Sequence, residues 1–457
     1  MSLKQLALPA GPILALLAGY LIYASGFSPE AAVTLGVTVN CVLWWVFAPI
    51  PIPVTSLLPL ALLPLFGVLS ATQVGASYGH PLVLLLLGGF ILATALEKSG
   101  AHHRIAIAMV NLFGGTSSRR LVLGFMAAAA VLSMWISNTA TTLMLMPVAL
   151  AVIERAEDEE LSTPLLLGIA YAASVGGIGT PIGTPPNVVF MAVYSDTMGE
   201  EFGFARWMTI GVPIVLVMLP AMGWWLTRNL SFQGHVQLPH VGSWQTSEKR
   251  VMIVFSATAL AWITRKEPFG GWTALFDFPY SNDAIVAFVA VIAMFLTPDG
   301  KGEKLLDWES ANRIPWGMLI LFGGGIAIAQ AFTSSGLSET IGSALSGVST
   351  LHVLALMGVI CLSVTFLTET TSNTATTTLL MPILAAAALG AGMDPKLFMI
   401  PAAISASCAF MLPVATAPNV IVFSTERFPP QTMAREGFAL NLIGVILISS
   451  TCYMLLA

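Results

Sequence analysis

The chain is 457 residues long, 56% hydrophobic and only 9% charged, with a formal net charge of −5. Soluble domains carry about a quarter charged residues, so this composition excludes a soluble enzyme, a secreted disulfide scaffold and a nucleic-acid binder. Mean hydropathy is +0.85, and apolar runs recur from end to end, each long enough to cross a hydrocarbon layer of ~30 Å. The expected fold is an all-α polytopic membrane protein.

In chain order the apolar runs predict eleven spans, at 12–23, 31–47, 54–68, 81–96, 164–194, 208–226, 251–263, 283–296, 318–332, 397–423 and 437–456. The apolar start at 6–23 reads as a retained first helix and not as a cleaved leader. Two further stretches, 121–153 and 351–390, carry a polar cluster at their middle and predict hairpins that enter and leave by one face. Lysine and arginine collect on the cytoplasmic side of membrane proteins. With a cytoplasmic N-terminus and two re-entrant hairpins, fourteen of these residues fall inside and four outside, the four being Arg206, Arg265, Lys266 and Lys396. A full crossing by either hairpin would invert everything after it and degrade that bias. The C-terminus is then expected outside, in a plasma (inner) membrane.

Between the spans, 154–160 and 233–249 read as solvated loops, and Trp44, Trp45, Trp224, Trp225 and Trp316 fit an interfacial belt. Cys41, Cys361, Cys408 and Cys452 lie far apart in apolar segments and read as small packing side chains. His80, His102 and His103 stand at span ends.

The sequence repeats itself. Residues 137–147 read SNTATTLMLMP and 372–382 read SNTATTTLLMP, identical at nine of eleven positions with an offset of 235. Upstream, LGGFILATALEKSG (87–100) echoes GGGIAIAQAFTSSG (323–336); downstream, PIGTPPN (181–187) echoes PVATAPN (413–419). Five spans separate matching points, so the second copy is upside down in the bilayer. Inverted repeats of this kind typify secondary transporters that bind substrate and ions at mid-membrane, where broken helices meet.

Each Ser-Asn-Thr cluster is placed at a hairpin tip, where such residues start the second arm by capping it. Glycines and prolines at 176–186, and a lighter set at 413–418, predict discontinuous helices with exposed carbonyls. Backbone that leaves helical geometry at this depth must line a wet cavity or be buried in protein. Hydroxyls, amide oxygens and carbonyls are neutral, hard ligands suited to an alkali cation. Neither motif holds an Arg or Lys, so an anion would be held by helix N-termini, hydroxyls and the bound cations themselves. Anion binding would thus depend on cation binding, which is the basis of coupled transport. Serine and threonine in membrane helices commonly only back-bond or pack, but two copies on inverted repeats, each followed by a helix break, favour a site. Glu369, three residues before Ser372, has Met134 as its repeat counterpart and lies outside the symmetric set; a structural role is favoured over proton coupling. An intramembrane hydrolase would need a base beside its nucleophile, and no His or Asp lies near either motif.

With both motifs and both Pro-Asn loops in hand, the chain resembles the divalent anion/sodium symporters, the sodium-coupled dicarboxylate, citrate and sulfate carriers, over almost its whole length. Residues 406–422 (ASCAFMLPVATAPNVIV) are similar to the family signature around the second broken helix. The resemblance implies a homodimer working as an elevator in membrane lipid. Residues 1–118 and 231–349 would form the scaffold, and 119–230 and 350–457 the moving transport unit. It implies at least two sodium sites: Ser133, Ser137 and Asn138 with the Gly183 carbonyl, and Thr368, Ser372 and Asn373 with the Ala415 carbonyl. Substrate carboxylates would meet Ser137, Asn138, Thr139 and Thr184 on one side, and Ser372, Asn373, Thr374, Thr416 and Ala417 on the other. Where the family usually has two prolines before the second loop Asn, this chain has Ala417 and Pro418. The expected function is sodium-coupled symport of a small dicarboxylate such as succinate, malate or fumarate. A sodium-independent exchanger and a sulfate or citrate carrier of the same architecture are the alternatives.

Overall fold

The computed structural model describes residues 3–113, 117–156, 159–230, 242–266, 270–344 and 352–457. These residues are helical throughout, apart from loops and one isolated bridge between Pro298 and Lys304. Among the described residues, eight helices are long and apolar enough to cross a membrane, and five more apolar helices are shorter. The eight include Asn373–Gly390, an arm of the second predicted hairpin, so seven of the eleven expected spans are among them and 54–68, 251–263, 283–296 and 397–423 are not. Residues 54–68 hold two prolines, Pro59 and Pro64, and fall in two helices, Ile52–Thr55 and Leu58–Leu65, because proline removes a donor and clashes with the preceding turn. The 397–423 run splits into Lys396–Ala406 and Ala417–Phe423, while Asp283–Leu296 has only 14 residues.

Burial sets which helices lie at the centre. The apolar window of the first helix is 11% buried, against 89% for Ser162–Gly179. Leu3–Ala24 packs on Pro29–Phe47 at the periphery and leaves Leu16 and Tyr20 exposed, which suits a helix facing lipid. Ser118–Ser133 and Asn138–Ala156 form the first hairpin, and Val353–Thr368 and Asn373–Gly390 the second. The first packs on Ser162–Gly176 and the second on Lys396–Ala406. Each hairpin therefore lies against its own broken span.

Two helices outside the predicted set follow the upstream repeat in each half. Ala101–Phe113 comes after Gly100 and Leu337–Ala344 after Gly336, and both glycines sit at φ 78°. That left-handed conformation costs a residue with a Cβ and turns the chain sharply after a span.

Several local expectations change. The 233–249 connector lies partly outside the described residues; its last four residues are helical, because Gln245 and Glu248 form a capping box that starts Thr246–Ile263. Residues 157 and 158 of the acidic run also lie outside them. Trp45 is 3% exposed and donates to Ser56 Oγ at 2.9 Å, so it packs inside the protein and not in an interfacial belt, whereas Trp224 is exposed. All four cysteines are buried and free. His80 caps Pro81–Ser99 and lies 3.3 Å from Asp196, and His102 is buried with Nδ1 3.1 Å from the Leu96 carbonyl.

Candidate cation and substrate site

The two hairpin tips are built alike. In the first, Ser137 Oγ accepts from the Ala140 N–H at 3.1 Å, and in the second Ser372 Oγ accepts from the Ala375 N–H at 3.5 Å. Each serine thus starts its second arm as a capping residue. Behind it, Ser133 Oγ donates to Asn138 Oδ1 at 2.6 Å, and Thr368 Oγ1 donates to Asn373 Oδ1 at 2.8 Å. Thr142 and Thr377 bond back to the Asn138 and Asn373 carbonyls, both at 2.8 Å. The duplication in sequence is a duplication of hydrogen bonds.

The broken spans face these tips. Ser162–Gly176 passes into a short 3-10 turn, Gly177–Gly179, and the chain restarts at Pro185–Met198; the second span stops at Ala406 and restarts at Ala417. Asn187 Nδ2 donates to the carbonyls of Gly177 (2.9 Å) and Thr180 (2.7 Å), and Asn419 Nδ2 to those of Ala409 and Leu412, both at 3.0 Å. Thr180 Oγ1 also donates to the Met134 carbonyl, tying break to tip. A methyl on Gly177 would come within 2.8 Å of Asn138 Oδ1 and 3.0 Å of the Gly183 carbonyl. One on Gly183 would meet the Gly177 carbonyl at 2.5 Å and that of Ser133 at 2.9 Å. Neutral oxygens thus crowd both glycines, which leave no room for a Cβ beside them, and neutral oxygens are donors of the kind that suit an alkali cation. In the second half, the counterparts of Gly177 and Gly183 are Ala409 and Ala415.

Glu369 takes no place among these oxygens. Its Oε1 accepts from the N–H groups of Phe410 (2.7 Å) and Met411 (2.9 Å) and from Asn441 Nδ2 (2.7 Å), and its Oε2 from the Leu412 N–H at 3.0 Å. A buried carboxylate met by four donors is a structural clamp on the unwound segment. The next carbonyls are satisfied by aromatic side chains: Trp207 Nε1 donates to Ile178 O at 2.7 Å, and Tyr171 OH to Phe410 O at 2.6 Å.

Both tips and both breaks open onto one cavity of about 690 Å³, within the usual range of about 300–1,000 Å³ for a small-molecule site. Ser137, Asn138, Thr139, Gly183 and Thr184 line it from one half, and Ser372, Asn373, Thr374, Ala415, Thr416 and Ala417 from the other. Ser133 and Thr368 do not reach it; both are fully buried behind the tips. Sequence reasoning missed the facing wall, where Glu97 and Arg313 join the lining. Arg313 is paired with Glu309 at 2.8 Å and largely exposed, and nothing in its local sequence marks it as part of a cavity. The N-termini of Asn138–Ala156 and Asn373–Gly390 begin at the cavity and present partial positive charge.

The citrate transporter family (CitMHS) matches residues 42–398. The sodium-dependent dicarboxylate transporter SdcS of Staphylococcus saprophyticus is 39% identical over 97% of this chain and 90% of that protein. SdcS of Staphylococcus aureus (strain bovine RF122 / ET3-1) is 38% identical over 98% and 91%. Among solved structures, the Alcanivorax borkumensis YdaH transporter superposes with a TM-score of 0.57 at 17% identity, covering 84% of this chain and 88% of that one. Neisseria gonorrhoeae MtrF, from a class of antimetabolite efflux pumps, gives 0.57 at 14% identity over 83% and 82%. These two similarities speak to the fold alone. Relatives that match nearly end to end are transporters and not enzymes, and the chain belongs to the divalent anion/sodium symporter family.

Proposed function

We propose that this protein is a secondary active transporter that carries a small dicarboxylate (succinate, malate or fumarate) together with sodium ions. The observation that carries this reading is the convergence of both Ser-Asn-Thr tips and both Pro-Asn breaks on one cavity. One sodium ion would be held by oxygens of Ser133, Ser137 and Asn138 with the Gly183 carbonyl. A second would be held by Thr368, Ser372 and Asn373 with the Ala415 carbonyl. The dianion would then lie between the helix N-termini, meeting Thr139 and Thr184 on one side and Thr374, Thr416 and Ala417 on the other. Each positive ion lowers the cost of placing carboxylates beside the uncharged oxygens of the tips and breaks, and the dianion lowers the cost of the ions, so each raises the other's affinity.

In this reading the two hairpins, both broken spans and spans 6 and 11 move as one unit (119–230 and 350–457) against a scaffold (1–118 and 231–349) in a homodimer. The N-terminus lies on the cytoplasmic side of the plasma membrane. The test is succinate uptake into proteoliposomes with an inward sodium gradient, against choline replacement. Uptake is expected to need sodium; an equal rate in choline would sink the coupling. A panel of unlabelled malate, fumarate, citrate and sulfate competitors at fixed sodium separates the substrate classes.

A further inference from the structure

We infer that Asn187 and Asn419 are positioning residues that set the geometry of the two cation sites, an inference that rests on the reading just proposed. In an unbroken helix the Gly177 carbonyl would accept from residue 181 and the Ala409 carbonyl from residue 413. Both of those residues are proline and have no N–H to give. In each half an asparagine from the restarted helix supplies the missing donor. Asn187 bridges Gly177 O and Thr180 O; Asn419 bridges Ala409 O and Leu412 O. Both side chains are fully buried, and in both the Oδ1 atom has no hydrogen-bond partner.

The second carbonyl of each bridge leads to the ion. Thr180 O also accepts from the Gly183 N–H at 3.3 Å, and Leu412 O from the Ala415 N–H at 3.1 Å. Each bridge therefore fixes a tight turn that ends on the residue whose carbonyl is assigned to sodium. Loss of the amide frees the turn, and the carbonyl no longer has a single position from which to join the hairpin oxygens.

The two halves differ in what backs up the clamp. Glu369 grips the N–H side of the second segment at Phe410, Met411 and Leu412. The first segment has Met134 in that place. Beyond the aromatic donor that each segment has, the first is held by one side-chain bond, from Thr180 Oγ1 to the Met134 carbonyl, against three from the Glu369 carboxylate in the second, so the first site depends more heavily on its asparagine.

The experiment is a sodium titration of succinate uptake by Asn187→Leu and Asn419→Leu in proteoliposomes, with Asn187→Thr and Asn419→Thr, which each return one O–H donor, as milder variants. Sodium-dependent thermal stabilisation of the purified proteins, with potassium at equal ionic strength as control, reads ion binding without transport. Asn187→Leu is expected to raise half-saturating sodium about tenfold, the loss of two hydrogen bonds to one turn. Asn419→Leu should raise it a fewfold, with the threonine variants between each and the parent. Succinate KM at saturating sodium should stay within about twofold of the parent, a split that a general loss of structure would not give. Unchanged half-saturation in both leucine variants, or a larger shift in Asn419→Leu than in Asn187→Leu, would overturn the inference. Failure of both threonine variants to fold would overturn it too, since the amides would then serve the fold and not the site. A parent protein with no sodium dependence would instead sink the proposed function itself.

Discussion

Burial is the main influence on the charge state of His102. Desolvation, helped by the positive field of His103 and opposed by the bond to the Leu96 carbonyl, pushes its imidazole from the ordinary 6.5 down to about 4. Above pH 6.5 both the folded and unfolded chains hold it neutral. As pH falls from 6.5 towards 4 the unfolded chain takes up a proton that the folded one refuses, so stability drains away across that window. The shift amounts to about 3 kcal/mol. In a series of melting temperatures in detergent from pH 7.5 to 4, His102→Gln is expected to flatten the acid-side slope; an identical slope would show that other groups govern it. In the sequence this histidine stands only at a span end, and its burial, at 7% exposure, is not written in its immediate neighbours. Glu369 was opaque for a related reason. Its partners are three backbone N–H groups some forty residues on and Asn441 in the last span, and no local pattern announces a backbone donor. The Ser-Asn-Thr triplets were legible because they occur twice.

The broken spans and hairpins were legible as elements, since proline and glycine interrupt long apolar runs at matching places in both halves. What could not be read was how each interruption closes. The Gly177 cradle is the clearest case, because its narrowness comes from Asn138 Oδ1 and the Gly183 carbonyl, which belong to two different elements. Gly177→Ala forces that pair apart by several tenths of an ångström, and overpacking of this kind costs about 1–3 kcal/mol. Half-saturating sodium for uptake is expected to rise at least fivefold by this estimate. Gly358→Ala, whose added methyl meets nothing within 4 Å, is the control and should match the parent. Equal titrations for the two would remove Gly177 from the site. The helices Ala101–Phe113 and Leu337–Ala344 were missed because they are too short and mixed in polarity to read as spans, although Gly100 and Gly336 mark their starts.

At the scale of the molecule, the inverted repeat explains why a chain so poor in charge can still build a polar centre: each half supplies a tip and a break, and neither half holds the cavity alone. Other charge is paired at helix ends, as in the buried Arg265–Asp283 pair at 2.6 Å, which sits where Thr246–Ile263 ends and Asp283–Leu296 begins. The span count was less secure than the architecture, because proline breaks some spans while others are short, as Asp283–Leu296 is, or start with charged residues, as Thr246–Ile263 does.

Duplication has not kept the halves identical. Gly177 and Gly183 of one are matched by Ala409 and Ala415 of the other, so two extra methyl groups stand in the second half where the first has none. In the two-site reading proposed above, ions of graded radius would then not be admitted equally by both sites. Displacement of sodium by a larger alkali ion, followed through sodium-dependent protein fluorescence, is expected to be biphasic, and a single smooth curve would mean that the methyl groups have made no difference to the fit.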